Sequence, residues 1–326
     1  MFVAIVVLLG LVGVATVGVP LYLHHSALRR VERLGGELVV MNGSANWFDI
    51  LMARCRTPLD HDELPCSLSV NLSGNAQVTD ADLGSLRHLI GLVDLSLTSI
   101  HVTDAGLEHL KGCLDLETLD LDETEVTDRG LTHLAGLSDL STLLLNKTQV
   151  TDDGLAQLKS LGMLQDLGLA GTKVTDAGMA HLATLPMLAI LYVSETSVTD
   201  AGVARLSALT GLMNLDVSHT RVTDAGLANL KVLSSLRNLG ISHTLVTDEG
   251  LAHLSVLTGL HWLRCSGLPI TDLWLAHLAG LTSLEGLDLT GTKITDLGLL
   301  HVRHMTRLDA LSLSSTPVTD AGLEHL

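Results

Sequence analysis

Eleven aspartates, from Asp80 to Asp320, recur every 24 residues, and a row of carboxylates is raw material for metal binding or acid–base work. Seven histidines, His109, His133, His181, His253, His277, His301 and His325, share a second repeated position. Catalytic acids and bases owe their reactivity to unusual surroundings, which a residue repeated in identical context does not have. Each Asp closes a Val/Ile-Thr-Asp triplet at the start of a helical pattern. That placement predicts a carboxylate that satisfies free backbone N–H groups and favours the helix dipole. Each His precedes an inward Leu, and Gln157, Arg205 and Asn229 take the same place, which reads as the solvated flank of an outer helix. A sharper reading is proton sensing, since charging all 16 histidines moves the formal charge from −17 to −1.

Thr124, Thr148, Thr172, Thr196, Thr220, Thr244, Thr292 and Thr316 form a third column. No general base accompanies them at a fixed spacing, so their hydroxyls are expected to serve backbone groups of adjoining turns. His219 and His243 are equivalent positions one repeat apart, near Asp216. Zinc asks for three or four protein ligands, so this loose group predicts no metal centre. No HExxH, P-loop, nucleophile elbow, GxGxxG after a strand, or Cys-x-x-Cys pair is present. Cys113 and Cys265 fall in otherwise apolar columns and read as core. The expectation is a protein with no catalytic residue, no cofactor and no metal.

The elements that carry these columns repeat with them. Val78, Val102, Val126, Val150, Val174, Val198, Val222, Val246, Ile270, Ile294 and Val318 begin units of the form V-T-D-A-G-L-x-H-L-x-x-L-x-x-L-x-x-L-x-L-x-x-T-x. Leu95 and Leu97 alternate with Asp94, Ser96 and Thr98, the period-two pattern of a short strand. Leu107 and Leu110 follow Thr103-Asp104 at helical spacing. The L-x-x-L-x-L-x-x-T-x-V portion resembles the leucine-rich repeat signature, with Thr where Asn or Cys is commoner. The resemblance covers residues 78–326, and the units look like those of bacterial membrane-anchored V-T-D-A-G-L proteins. It implies an α/β solenoid, a horseshoe with a parallel sheet on its concave face and short helices on its convex face. A single repeat cannot bury its own apolar face, so neighbours must stack. Leu does nearly all the filling, because the chain has only seven aromatic residues.

Residues 1–24 hold no charged side chain and are expected to form a transmembrane anchor, contacting the bilayer through residues 2–23. No basic stretch precedes the run and no small-x-small cleavage site follows it, against a signal peptide. Arg29, Arg30 and Arg33 place the following chain in the cytoplasm by the positive-inside rule. Residues 25–77 are expected to form a juxtamembrane segment and cap, with a helix and strand in 27–41 and another helix over Trp47–Cys55. Cys55 and Cys66 would pair only in an oxidising compartment. The sequence stops at Leu326 within a helical pattern, which points to a fragment or to end-to-end self-association.

Function is sought where the repeat departs from itself. The strand positions flanking the inward Leu pair include Asp94, Asp120, Asp122 and Asp166, an acidic stretch. Further along come Tyr192, Asn214, Asp216, Asn238, Trp262 and Arg264. Tyr, Trp and Arg dominate binding hot spots. The unit 261–278 is the least regular, with Leu268-Pro269 at its turn and Trp274 in the glycine column. These ten residues are the expected partner-binding surface, and the acidic part suits a protein or peptide with a basic patch. With 36 acidic against 19 basic residues, a nucleic-acid partner is excluded. Two other readings are a substrate-recruiting adaptor similar to F-box repeat proteins and a metal-binding or enzymatic protein using the His and Asp ladders.

Overall fold

The computed structural model describes residues 19–41 and 67–326. The apolar run through Gly18, the helix expected over Trp47–Cys55, and the thiols of Cys55 and Cys66 lie outside the described residues. The chain divides into two units, Met1–Leu144 and Leu145–Leu326.

The first unit begins with helix α1, Val19–Arg33, followed by strands β1 (Glu37–Met41), β2 (Ser67–Asn71), β3 (Leu92–Ser96), β4 (Thr118–Asp120) and β5 (Thr142–Leu144). β1 pairs antiparallel with β2, and β2 to β5 run parallel in sequence order. Val70 lies opposite Leu95, an offset of 25 that carries the extra residue of the first repeat. Helix α1 starts at Val19, well before the expected position 27, and takes in residues 19–24. The reason is docking: Ala27 and Val31 are buried, and His24 Nδ1 accepts a bond from the Ile90 amide at 3.1 Å. Arg30 donates to Asp82, which is only 6% exposed. Arg29, Arg30, Glu32 and Arg33 also interrupt any apolar run. Among the described residues, no helix is long and apolar enough to cross a membrane.

The second unit holds β6 (Asp166–Gly168), β7 (Ile190–Tyr192), β8 (Asn214–Asp216), β9 (Asn238–Gly240), β10 (Trp262–Arg264), β11 (Gly286–Asp288) and β12 (Ala310–Ser312), all parallel. In both units the strands are short because only the central Leu of each repeat points inward between two outward residues. That column, Leu95 to Leu287, is buried throughout, as is the column from Leu92 to Leu284. Parallel in-register pairing puts equivalent residues about 4.8 Å apart, so each repeat covers the apolar side of the one before.

Between strands a short helix begins on the repeated Asp, from Asp80–Leu83 to Asp320–Leu323. The N-cap is the preceding threonine: Thr103, for example, accepts the Ala105 amide on its own hydroxyl. The aspartate does something the sequence pattern does not show. Asp80 accepts the Thr103 amide at 2.8 Å and the Thr103 hydroxyl at 2.6 Å, so its carboxylate serves the helix start of the next repeat. The two bonds recur at Asp104–Thr127, and in the second unit at every step from Asp152–Thr175 to Asp296–Thr319. The expected capping of the aspartate's own helix is thereby corrected. Thr319 holds the Asp296 carboxyl below its ordinary range in this way.

A glycine two positions after most of these aspartates, though not after Asp80 or Asp272, gives the preceding repeat's carboxylate room. At Gly202 an added Cβ would fall 2.5 Å from Asp176 Oδ1, and the Gly202 amide donates to that same oxygen at 2.9 Å. The threonine column donates three residues back within its own turn, as from Thr124 to the Leu121 carbonyl at 2.6 Å. After each strand the chain turns through one left-handed residue. Ser99, Glu123, Lys147, Glu195, His219, His243 and Ser315 all take φ between 54° and 58°, and Gly171, Gly267 and Gly291 fill the same column. A side chain there costs roughly 1 kcal/mol of backbone strain. The turn recovers this by donating its amide to the next repeat, as Ser99 does to the Asp122 carbonyl at 2.8 Å.

Candidate functional site

Strands β8, β9 and β10 present two outward rows. Asn214, Asn238 and Trp262 stand in register in one; Asp216, Gly240 and Arg264 stand in the other, with Tyr192 beside Asp216. Six of the ten expected residues, Tyr192, Asn214, Asp216, Asn238, Trp262 and Arg264, therefore line one trough of about 380 Å³. Its floor is Leu215, Leu239 and Gly240. This volume sits at the lower end of the ~300–1,000 Å³ typical of ligand sites.

Two glycines let the trough's side chains take their places, and a search for unusual side chains passes over both. Gly240 stands where its neighbours carry Asp216 and Arg264, and its missing side chain leaves room for the Asp216 carboxylate to lean across it. A Cβ on Gly240 would lie 2.4 Å from Asp216 Oδ1. Across this gap Asp216 Oδ2 and Arg264 Nη1 face each other at 3.7 Å, two repeats apart. Gly286 does the same for Trp262: an added Cβ would lie 2.1 Å from Cε3, 2.4 Å from Cζ3 and 2.5 Å from Cδ2. Near-equal distances to three adjoining ring atoms put that point over the ring face, so the indole lies across the glycine. The ring remains 45% exposed. The sequence signal available for both was a glycine in a strand column that elsewhere carries a side chain.

Polar groups in the trough are only partly spent. Asn238 Nδ2 donates to Asn214 Oδ1 at 2.7 Å. Asp216 Oδ1 accepts the Ser218 amide at 2.9 Å, an Asx-type closure of its own strand end. Asp120 does likewise for Asp122 and Asp288 for Thr290. Burial pushes the Asp288 carboxyl up, but bonds from Ser266 and Thr290, with Arg264 nearby, hold it below the ordinary range.

The other expected residues sit elsewhere. Asp94, Asp120 and Asp122 belong to the first unit, where Asp94 accepts the Ser69 hydroxyl at 2.9 Å and Asp120 the Thr98 hydroxyl at 2.7 Å. Those carboxylates close strand ends as well as colouring the surface. Asp166 on β6 has its Oδ1 buried with no hydrogen-bond partner, and burial raises its pKa.

His219 and His243 stack with ring centroids 4.5 Å apart. Among the described residues no group of three or more His, Cys, Asp or Glu is placed to hold a metal ion. Burial pushes the Cys113 thiol up to about 11 and raises the Cys265 thiol well above its ordinary value, so neither is a nucleophile at neutral pH. Trp274, the departure in the glycine column, is fully buried core, and its Nε1 has no partner.

Residues 280–300 match a family model described as Leucine Rich repeat. An internalin, InlF, from Listeria monocytogenes is similar over 76% of this chain and 87% of that one, at 21% identity and a TM-score of 0.55. Internalin C2 of the same organism shares 28% identity over 65% of this chain and 84% of its own, with a TM-score of 0.51. A leucine-rich repeat protein of Leptospira interrogans, LIC12759, is similar over 78% of this chain and 68% of that one, at 19% identity and 0.56. No curated protein matches the chain.

Proposed function

We propose that this leucine-rich repeat protein is a non-catalytic recognition module that presents its outward strand face to a protein or peptide. Leucine-rich repeat folds are commonly interaction modules, and the trough gives that general role a place. The observation that carries the reading is the convergence of Tyr192, Trp262 and Arg264 on one hollow. Large amphipathic side chains grouped on a rigid surface are what binding hot spots are made of. They stand on strands whose backbone bonds are already made to neighbouring strands, so little ordering accompanies binding. The carboxylates of the first unit, Asp94, Asp120 and Asp122, favour a partner with a basic patch. In this reading residues 1–24 tether the protein to a membrane, and the repeats of residues 78–326 supply the recognition surface.

The test is cross-linking in intact cells, comparing the parent with a variant carrying Tyr192→Ala, Trp262→Ala and Arg264→Ala together. A specific cross-linked partner should disappear from the variant while its circular dichroism and unfolding midpoint stay close to the parent. An unchanged cross-linking pattern rejects the trough as the binding site. Protease accessibility of the array in the same cells tests the tether and fixes which side of the membrane it faces.

A further inference from the structure

Resting on the reading that the trough is a recognition site, we infer that its occupant is a neutral polyhydroxylated ring, a pyranose stacked on Trp262. Charge comes first. Arg264 lies between Asp216, at 3.7 Å across Gly240, and Asp288 at the same position of the next strand. A cation entering the trough meets the guanidinium, and an anion meets two carboxylates. Either ion gives up water in a partly enclosed site while facing a like charge. A neutral ligand avoids that opposition and uses both signs as hydrogen-bonding groups.

Those groups are unspent and alternate. Among the described residues, the Arg264 side chain makes no hydrogen bond, only the 3.7 Å pairing with Asp216, and is 58% exposed, leaving donors of its fork open. Asp216 Oδ2 stays an open acceptor, since its Oδ1 holds the Ser218 amide. The bond between the two asparagines leaves Asn214 Nδ2 as a donor and Asn238 Oδ1 as an acceptor. Donors and acceptors thus stand side by side at about strand spacing, ~4.8 Å. Adjacent ring hydroxyls, each both donor and acceptor, complete such a set; an apolar side chain would bury it unpaired.

The platform comes last. Trp262 lies with one face across Gly286, lines the trough and is 45% exposed, held on a strand rather than on a loop. A flat indole face receives the C–H face of a saturated ring, and the planar polar side chains around it receive the ring's hydroxyl edge. An extended peptide would find no free sheet edge here, because β8, β9 and β10 are all paired on both sides.

The experiment titrates the full-length chain with methyl glucoside, methyl mannoside, methyl galactoside, N-acetylglucosamine and their linear trimers. The readouts are the indole N–H resonance of Trp262, assigned with Trp262→Phe, and isothermal titration calorimetry, which also follows variants that lack the indole. At least one pyranoside should move that resonance saturably, and its trimer should bind more tightly. Trp262→Ala and Gly286→Ala should each weaken binding tenfold or more, on the order of 1.4 kcal/mol. Asp216→Asn and Arg264→Gln should each weaken it severalfold, without changing the unfolding midpoint by more than the parent's scatter. A resonance unmoved by every pyranoside at about 10 mM, ten times a weak ~1 mM affinity, overturns the inference. So does saccharide binding that survives Trp262→Ala. If pyranosides leave Trp262 unmoved while a cross-linked protein is lost in the triple-alanine variant, protein recognition stands and the saccharide occupant falls. A glycoprotein compared with its deglycosylated form separates a protein-borne glycan from a free one.

Discussion

Replacing Gly202 with alanine should destabilise the parent protein and stabilise, or leave unchanged, a protein that already carries Asp176→Ala. Gly202 lies inside the helix Asp200–Leu206, where alanine is ordinarily favoured by about 1 kcal/mol. In the parent, its new Cβ would stand 2.5 Å from Asp176 Oδ1, so the carboxylate must swing away. That carboxylate holds the Thr199 amide at 2.7 Å, the Thr199 hydroxyl at 2.6 Å and the Gly202 amide at 2.9 Å. Bonds to a charged acceptor contribute about 1.5–3 kcal/mol each, but these groups are partly exposed and water replaces some of the loss. Asp176→Ala should therefore cost about 2–4 kcal/mol, and Gly202→Ala about 1–3 after its helical gain. Once the carboxylate is gone, the glycine substitution should gain up to about 1 kcal/mol, less what Val198 Cγ1 at 3.0 Å and Met179 Cγ at 3.1 Å take back. The interaction energy of the pair should be about 1–4 kcal/mol. Urea unfolding of the parent, both single variants and the double variant at pH 7 measures it. Equal cost in both backgrounds would assign the effect to Val198 and Met179. A gain in both would mean that the carboxylate exerts no hold on its neighbour.

Three further outcomes follow from buried or paired groups. Asp166→Asn should raise the urea midpoint at pH 7: burial raises this carboxyl's pKa, so its ionised form opposes folding above that pKa. The advantage should vanish below about pH 3.5, where the acid is neutral folded and unfolded. Arg30→Ala should cost about 1–2 kcal/mol at pH 7, discounted because the arginine is half exposed, and should speed amide exchange at the start of the first repeat. Burial pushes the Asp82 carboxyl up, yet bonds from Arg30 and Thr79 hold it below its ordinary value, so its stabilisation is present above about pH 4 and fades as pH falls through the folded pKa. The cost of Arg30→Ala should shrink over that acidic range. Finally, Trp274→Phe should shift the thermal midpoint little, since it removes an N–H with no partner, whereas Trp274→Gly should cost about 3–5 kcal/mol through the cavity it opens.

The strands, the helix starts and the core were legible because burial imposes the same demand on every repeat. Leu95 and Leu119 must both be inward for the layers to close, and a 24-residue period states this directly. Asp80 was legible as a helix-start residue, but a pattern read along one repeat does not reveal that the partner, Thr103, lies in the next. Tyr192, Trp262 and Arg264 stood out as departures in outward columns, and six of the expected residues do share a hollow. How Asp216 and Trp262 lie depends on Gly240 and Gly286, where an absent side chain leaves room for a neighbour to lean across. Asp288 was passed over because it matches the acidic residues of its column, and only Arg264 beside it gives it weight. The first helix starts earlier than expected because hydropathy registers the apolar run but not the docking of Ala27, Val31 and His24.

The carboxylate that reaches into the following repeat also gives the array a direction. Within the second unit each aspartate is a plug for the threonine of the following repeat, as Asp176 is for Thr199 and Asp200 for Thr223, so these joints are head-to-tail and alike. A tandem duplication or loss of a whole 24-residue unit leaves every joint complete. An exchange out of step by a single residue leaves one plug without its socket and exposes a leucine layer beside it. Chain length can thus drift by whole units during evolution with no interface redesigned, and the outward columns are left free to diverge one repeat at a time.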